Sequence, residues 1–491
     1  MHAELAYLFR HALIREAAYT LQPPGERAIL HALAIDVIES ALAGDEASLD
    51  QAAPELARHC RLAQEYRRTA NLALLKQYAA KEFSYLLRAA RWCSARYRNA
   101  EAVAFLAQVA EHALATPSQR TQALIDGANV LLHSGSGTDA CDWADRAVAL
   151  ADAAAEEVGP RLRGVALRNS AVVHAQTLGR GDIEGRMQQA LECFQQAGDE
   201  ALAALARSNL AQLRSVTGDP NECLRALQGA SDDLRAHGHS SGLGATLTNI
   251  GNLLRRLGRS AEALAPLQEA VAIAREIGDQ RLEGSLLGNE LGALRDLGRM
   301  EQAEAAAERS IELAARTGDR RSLAIAYCNR GLVLHQRNEY ARAEPDYRTA
   351  LQIALDFGER FWEGVTRMNL ALLLELTNRA AEAEHEYFEA LSIMRQVGDR
   401  MSEGIVLCNL GSLLGRFGRY DESDDSYTRG LAQLTEVGAR EHLGIQHGAY
   451  AVQLRKQGRA PEALQHHEKA IALLQNSEGP LSKHQQAWAA G

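Results

Sequence analysis

The chain has 491 residues, too many for one compact core, and 46% of them are apolar, enough to fold and too many for a disordered tract. Its net charge of −10 and sequence rich in alanine and leucine argue against a phosphate-binding surface and favour helices over strands. The seven cysteines are odd in number and contain no CxxC pair, which argues against a disulfide framework or a zinc site and points to a reducing cytoplasm.

Taken from the N-terminus, residues 1–19 carry His2, Glu4, Arg10, His11, Arg15 and Glu16, so no secretory apolar core fits there. No apolar run anywhere is long enough to span a membrane. Residues 1–115 show no internal period and are expected to form a helical cap. Periodicity then takes over. Asparagine recurs at 129, 169, 209, 249, 289, 329, 369 and 409, a constant step of 40 residues. Two turn columns run in the same phase. One is Gly198, Gly238, Gly278, Gly318, Gly358, Gly398 and Gly438; the other is Gly218, Gly258, Gly298, Asn338, Asn378, Gly418 and Gly458. They stand 20 residues apart and divide each repeat into two helices of equal length. Glycine and asparagine at these points can take the left-handed conformation that ends a helix. Asp279, Asp319, Glu359 and Asp399 follow one column directly, where an acid suits the positive start of the next helix. Small residues at 263, 303, 343, 383, 423 and 463 let paired helices approach closely. One repeat cannot bury its apolar face alone, so repeats must stack into a solenoid over residues 116–475. The polar stretch 476–491 carries no pattern and is expected to be a disordered tail.

"Asn249-Ile250-Gly251", "Gly258-Arg259-Ser260-Ala261-Glu262-Ala263" and "Ala270-Val271-Ala272-Ile273-Ala274" resemble the tetratricopeptide repeat consensus. The usual period is 34 residues; the longer step here resembles the repeats of kinesin light chains and bacterial peptide-sensing regulators. The resemblance covers about residues 118–475 and implies an all-α, right-handed superhelix of about nine repeats with an inner groove. A second resemblance lies in "Leu8-Phe9-Arg10-His11-Ala12-Leu13-Ile14-Arg15-Glu16-Ala17-Ala18-Tyr19" with "Glu26-Arg27-Ala28-Ile29-Leu30-His31", "Pro54-Glu55-Leu56-Ala57-Arg58-His59-Cys60" and "Asn99-Ala100-Glu101-Ala102". These are similar to the helical linker that follows the ATPase in bacterial multidomain signalling ATPases and transcription regulators. The chain holds no GxxxxGK[ST] phosphate loop. This resemblance implies either the sensor arm of a split or truncated ATPase, or a coding start set too late.

The asparagines sit where core meets groove, because the leucines four residues on lie to one side of them and groove positions to the other. Two roles fit. Asn209, Asn249, Asn289, Asn329, Asn369 and Asn409 can bind the backbone of an extended peptide, as similar amide ladders do in the related families; or each can bond a neighbouring helix and hold the stack. For Asn129 and Asn169, with irregular loops, the stacking role is the expectation. The same wall adds Arg256, Arg295, His335 and Arg416 as candidate ligand contacts, beside Leu332, Leu372 and Leu376. His442, His447, His466 and His467 crowd the C-terminus without metal-ligand spacing, and no nucleophile elbow or HExxH is present. The expectation is a non-catalytic cytoplasmic scaffold that uses no cofactor and no metal. It binds a protein or peptide ligand rather than nucleic acid or membrane. The alternatives are the ATPase sensor arm and an assembly factor acting through its convex face or N-terminal cap.

Overall fold

The computed structural model describes residues 19, 21–64, 72–177, 182–215, 218–475, 484–485 and 487–488. The segment from Leu8 to Ala18, which carries part of the resemblance to signalling ATPases, lies outside the described residues. Among the described residues every regular element is a helix. The chain divides into two units, one spanning residues 1–132 and 137–177, the other 133–136 and 178–491.

The first unit holds α1 (Pro24–Ala41), α2 (Glu46–Gln64), α3 (Leu72–Ala95), α4 (Asn99–Glu111), α5 (Pro117–His133), α6 (Gly137–Ala153) and α7 (Ala155–Thr177). Ile35, Leu56, Cys60, Leu86 and Ala89 form the centre of its core. His31 and His59 meet inside it, Nδ1 to Nδ1, at 2.7 Å, so one imidazole donates and the other accepts. Gly159, at φ 75° and ψ 162°, breaks α7 just before Pro160.

The second unit is the periodic array. It opens with α8 (Ile183–Gln196) and continues as seven hairpins, α9 (Glu200–Arg214) with α10 (Pro220–Ala236), α11 (Ser240–Arg256) with α12 (Ser260–Glu276), α13 (Gln280–Asp296) with α14 (Met300–Thr317), α15 (Arg320–Gln336) with α16 (Tyr340–Phe357), α17 (Arg360–Leu376) with α18 (Ala380–Val397), α19 (Arg400–Arg416) with α20 (Tyr420–Glu436), and α21 (Arg440–Lys456) with α22 (Ala460–Leu474). The left-handed column behaves as its composition requires: Asn338 and Asn378 take φ 63° and 60°, where Gly258 takes 74°. Asp199, Asp279, Asp319 and Asp399 each accept a backbone N–H three residues on, at 2.9–3.1 Å. His239 fills the same role through Nδ1 at 3.1 Å. Glu359 makes no such bond: its side chain is one methylene too long for the cap geometry, and burial raises its carboxyl above the usual range.

Each hairpin closes by volume matching. A β-carbon added at Gly331 would stand 2.7 Å from the Tyr347 ring, one at Gly411 would stand 2.8 Å from Tyr427, and one at Gly251 would stand 2.5 Å from Leu267. The same two columns read Leu291 with Ala307, and Ala371 with Tyr387. Large residues on one helix thus meet small ones on the other, and the pair exchanges sides at 291 and 307. Tyr347, Tyr387 and Tyr427 are wholly buried by this arrangement.

An ion-pair ladder fixes the register of the second helices. Arg379, Arg419 and Arg459 each grip the glutamate three residues on in a bidentate pair. Each also reaches an acid on the preceding second helix: Glu344 at 2.7 Å, Glu384 at 2.7 Å and Asp424 at 2.5 Å. At residue 339 the column holds glutamate instead, and Arg342 pairs with it and reaches back to Glu304 at 2.7 Å. The charge order is inverted and the inter-repeat contact survives.

Candidate functional site: the wall of first helices

Successive first helices, from α9 through α21, approach one another closely along their backbones, whereas successive second helices stand farther apart and meet through long ion-paired side chains. The first helices therefore form the tighter, inner wall of the second unit. Asn209, Asn249, Asn289, Asn329, Asn369 and Asn409 lie on this wall, half-buried.

Their hydrogen bonds differ between the two units. In the first, Asn169 Nδ2 donates to Asn129 Oδ1 at 2.6 Å, a short bond from a buried residue to a half-buried one, as a stacking role would require. In the second the contacts are long. Asn249 Nδ2 reaches Ser208 Oγ at 3.3 Å, Asn369 Nδ2 reaches Cys328 Sγ at 3.4 Å, and Asn209 Nδ2 lies 3.9 Å from Met187 Sδ. Asn289 Nδ2 turns back to the Ser285 carbonyl at 3.3 Å, and Asn409 Oδ1 accepts from Gln446 at 3.3 Å. Asn329 Nδ2 faces Gly288, where a β-carbon would stand 3.7 Å away. Long bonds to oxygen hold weakly, whereas 3.4 Å is an ordinary distance to sulfur; the contacts run to the preceding repeat or the asparagine's own turn, except that Asn409 meets Gln446 of the following repeat.

The charged candidates fall on the same wall, each in a different setting. Arg256 donates to the Ser215 carbonyl at 2.9 Å and hydroxyl at 2.7 Å, and meets no carboxylate; burial lowers its affinity for its proton. Arg416 donates to Glu375 at 2.9 Å, and buried Glu375 lies 3.4 Å from the Tyr387 hydroxyl. His335 packs edge-on against Tyr340 and Tyr347, and burial pushes its pKa below the usual imidazole range. Among the described residues Arg295 makes only a loose ion pair, with Asp296 Oδ1 at 3.9 Å. Leu372 and Leu376 are exposed on the neighbouring helix α17, supplying apolar surface.

A cavity of about 1470 Å³ opens between the ends of this wall. Arg255, Arg256 and Arg295 of α11 and α13 line one side; Glu441, His442 and Ile445 of α21 line the other. Sequence reading noted His442 only as one of the C-terminal histidines and placed no α21 residue beside these arginines, because array curvature brings together helices several repeats apart. No periodic column encodes that meeting. Gly292, three residues after Asn289, forms a slot: the Arg255 guanidinium lies 2.4 Å from where its β-carbon would be, and pairs with Asp296 at 2.9 Å. At the C-terminal end His447 and His466 meet at 2.8 Å, and His467 stacks on Trp488 with ring centroids 4.0 Å apart. No group of three or more metal-ligating side chains comes together among the described residues, and no described helix is long and apolar enough to cross a membrane.

The family model for the tetratricopeptide repeat matches residues 202–276, 285–356 and 363–436. No curated protein matches the chain. Among solved structures, a Rap protein complexed with competence and sporulation factor is similar, with a TM-score of 0.55 at 12% identity over 74% of this chain and 100% of that one. An aspartyl phosphate phosphatase F from Bacillus subtilis gives 0.49 at 12% identity, covering 73% and 95%. A signal transduction ATPase with a tetratricopeptide repeat sensor from Pyrococcus horikoshii gives 0.49 at 15% identity, covering 79% and 57%.

Proposed function

Because residues 202–436 of this chain are tetratricopeptide repeats, we propose that it is a non-catalytic regulatory scaffold that binds an extended peptide or protein segment along its wall of first helices. The observation that carries this is the state of the amides. From Asn209 to Asn369 no Nδ2 makes a short bond to an oxygen, and each Oδ1 accepts no hydrogen bond from a described residue. The contrast with the first unit lies in the donor: Asn169 Nδ2 holds Asn129 at 2.6 Å, although its own Oδ1 is likewise unpartnered. An amide ladder with unused acceptors matches the repeating N–H groups of an extended backbone, without selecting its side chains. The exposed Leu372 and Leu376 of α17 offer apolar contact to side chains of such a segment. All seven cysteines are free and buried, which supports a reducing, cytoplasmic setting.

The test is a randomised peptide library presented to the full chain, with hydrogen exchange recorded on the bound complex. Slowed exchange should concentrate in α11, α13, α15 and α17. Protection confined to the second helices or to residues 19–177, or no peptide binding at all, overturns the reading.

A further inference from the structure

Near the C-terminus His484, Gln485, Ala487 and Trp488 are in helical conformation, and by the 40-residue step they fall where the first helix after α21 would begin. They also take that helix's seat. In earlier repeats Ser208 and Cys328 receive Asn249 and Asn369 of the following first helix. At the equivalent Gly448 the side chain received is His484, whose Nδ1 stands 2.6 Å from where a β-carbon would be. His484 is buried there. Trp488 stacks on His467 of α22 and packs against the core of the last hairpins. Arg455 of α21 donates to the Trp488 carbonyl and lies 4.9 Å from its ring. His484 and Ala487 thereby join the cavity wall, beside Gly448 and Val452.

One bond in this seat depends on charge. His467 Nδ1 and His484 Nε2 lie 3.0 Å apart, so one ring donates and the other accepts. A single proton can be shared across such a bond. A second removes the acceptor and sets two cations ring to ring, with centroids 4.9 Å apart. Little offsets that charge. Glu468 on α22 favours a proton on His467, Arg455 on α21 disfavours it, and among the described residues no carboxylate forms an ion pair with either imidazole. Burial is the first cause that lowers both pKa values, and the His467 charge lowers that of His484 further.

We propose that His484 and Trp488 form a latch over this end of the groove, seated while the His467–His484 pair keeps a neutral ring and released when both rings are protonated. Release uncovers Gly448 and Val452 and opens the end of the cavity to ligand. That effect on ligand rests on the groove reading above; the latch itself does not. Both free imidazoles titrate near pH 6.5, whereas the seated pair holds at most one proton. The seated-to-released ratio should therefore fall roughly ten- to a hundred-fold per pH unit below about pH 6.5.

Fluorotryptophan incorporated into the full chain gives four fluorine resonances, and Trp488→Phe identifies the one from Trp488. Between pH 8 and pH 5 that resonance should move to the position it takes in urea, while the other three stay. His447→Gln, which disturbs only the neighbouring pair with His466, should leave the midpoint in place. At least one of His467→Gln and His484→Gln, whose amides keep one hydrogen bond without taking a proton, should hold the seated position at pH 5. An unmoved resonance, a joint movement of all four, a midpoint that follows His447, or failure of both glutamine variants to hold at pH 5 overturns the latch. Peptides retained from the library should bind the Trp488→Ala chain roughly ten-fold more tightly at pH 8, the gain when a seated form holding about nine molecules in ten is emptied. Equal affinity overturns the latch's control of the groove. Peptides that bind neither chain overturn the groove reading, while the fluorine spectra still decide the latch.

Discussion

Replacing Asn249, Asn289 and Asn329 together with alanine separates binding from stacking, and the structure fixes the size of each effect. Asn249 holds Ser208 through a 3.3 Å bond, Asn289 holds its own turn at 3.3 Å, and Asn329 makes no hydrogen bond to a described residue. Two long bonds contribute about 1 kcal/mol together. Alanine is the better helix former by roughly 0.5–0.7 kcal/mol at each position, which offsets that loss. Net stability should therefore stay within about 1 kcal/mol of the parent, and the urea midpoint read by circular dichroism should barely move. A ligand that loses three backbone contacts, at about 0.5–1.5 kcal/mol each, should bind roughly ten- to a thousand-fold more weakly by fluorescence anisotropy. A midpoint that collapses while affinity per folded molecule is preserved would refute the reasoning and make the amides stacking residues.

Three further outcomes follow from the packing. Tyr347→Ala should cost about 3–5 kcal/mol, and Gly331→Leu about 1–3 kcal/mol by overpacking. The double variant copies the Leu291 and Ala307 pairing and should recover at least about 2 kcal/mol of the sum, measured as coupling in hydrogen exchange of α15 and α16; strict additivity counts against volume matching. Asp319→Ala should destabilise by about 1 kcal/mol, since Asp319 is buried and caps Ser322 at 2.9 Å, whereas Glu359→Ala, which removes no cap, should be neutral or stabilising in the same thermal melt. His447, paired with His466, has its pKa lowered to about 4 by burial first and then by the neighbouring imidazole and Lys469. The unfolded chain takes up its proton near pH 6.5 and the folded chain does not, so stability should fall as pH drops from 6.5 towards 4. The loss is at most about 3 kcal/mol, and His447→Gln should flatten that part of the pH profile of the urea midpoint.

The repeat, its two-helix division and the aspartate caps are legible because they are local. A glycine that ends a helix, an acid that starts the next and a fixed period each leave a mark within a few residues. Glu359 shows the margin of such reading: it keeps the charge of its column and loses the geometry. The candidate wall was legible as a column of asparagines, because one turn of a helix determines which residues share a face. The cavity was not. Glu441 and His442 reach Arg255 and Arg295 only through the accumulated rotation of intervening hairpins, and a small error per repeat would move them elsewhere. The pairing of Arg255 with Asp296 was hidden for a related reason: it depends on an absent side chain at 292, which a sequence reader counts as a gap.

The ladder on the second helices bears on how such an array changes length. Each cation there finds an acid 35 or 38 residues earlier, whether the charge order is normal or inverted. Excising residues 320–359, one whole period, would leave Arg379 standing opposite Glu304, an acid equivalent to the one it lost. Hairpins can thus be spliced out or duplicated with the neighbouring clasps re-forming unaided. The span of ligand gripped can then lengthen or shorten by a hairpin at a time without redesigning the junctions.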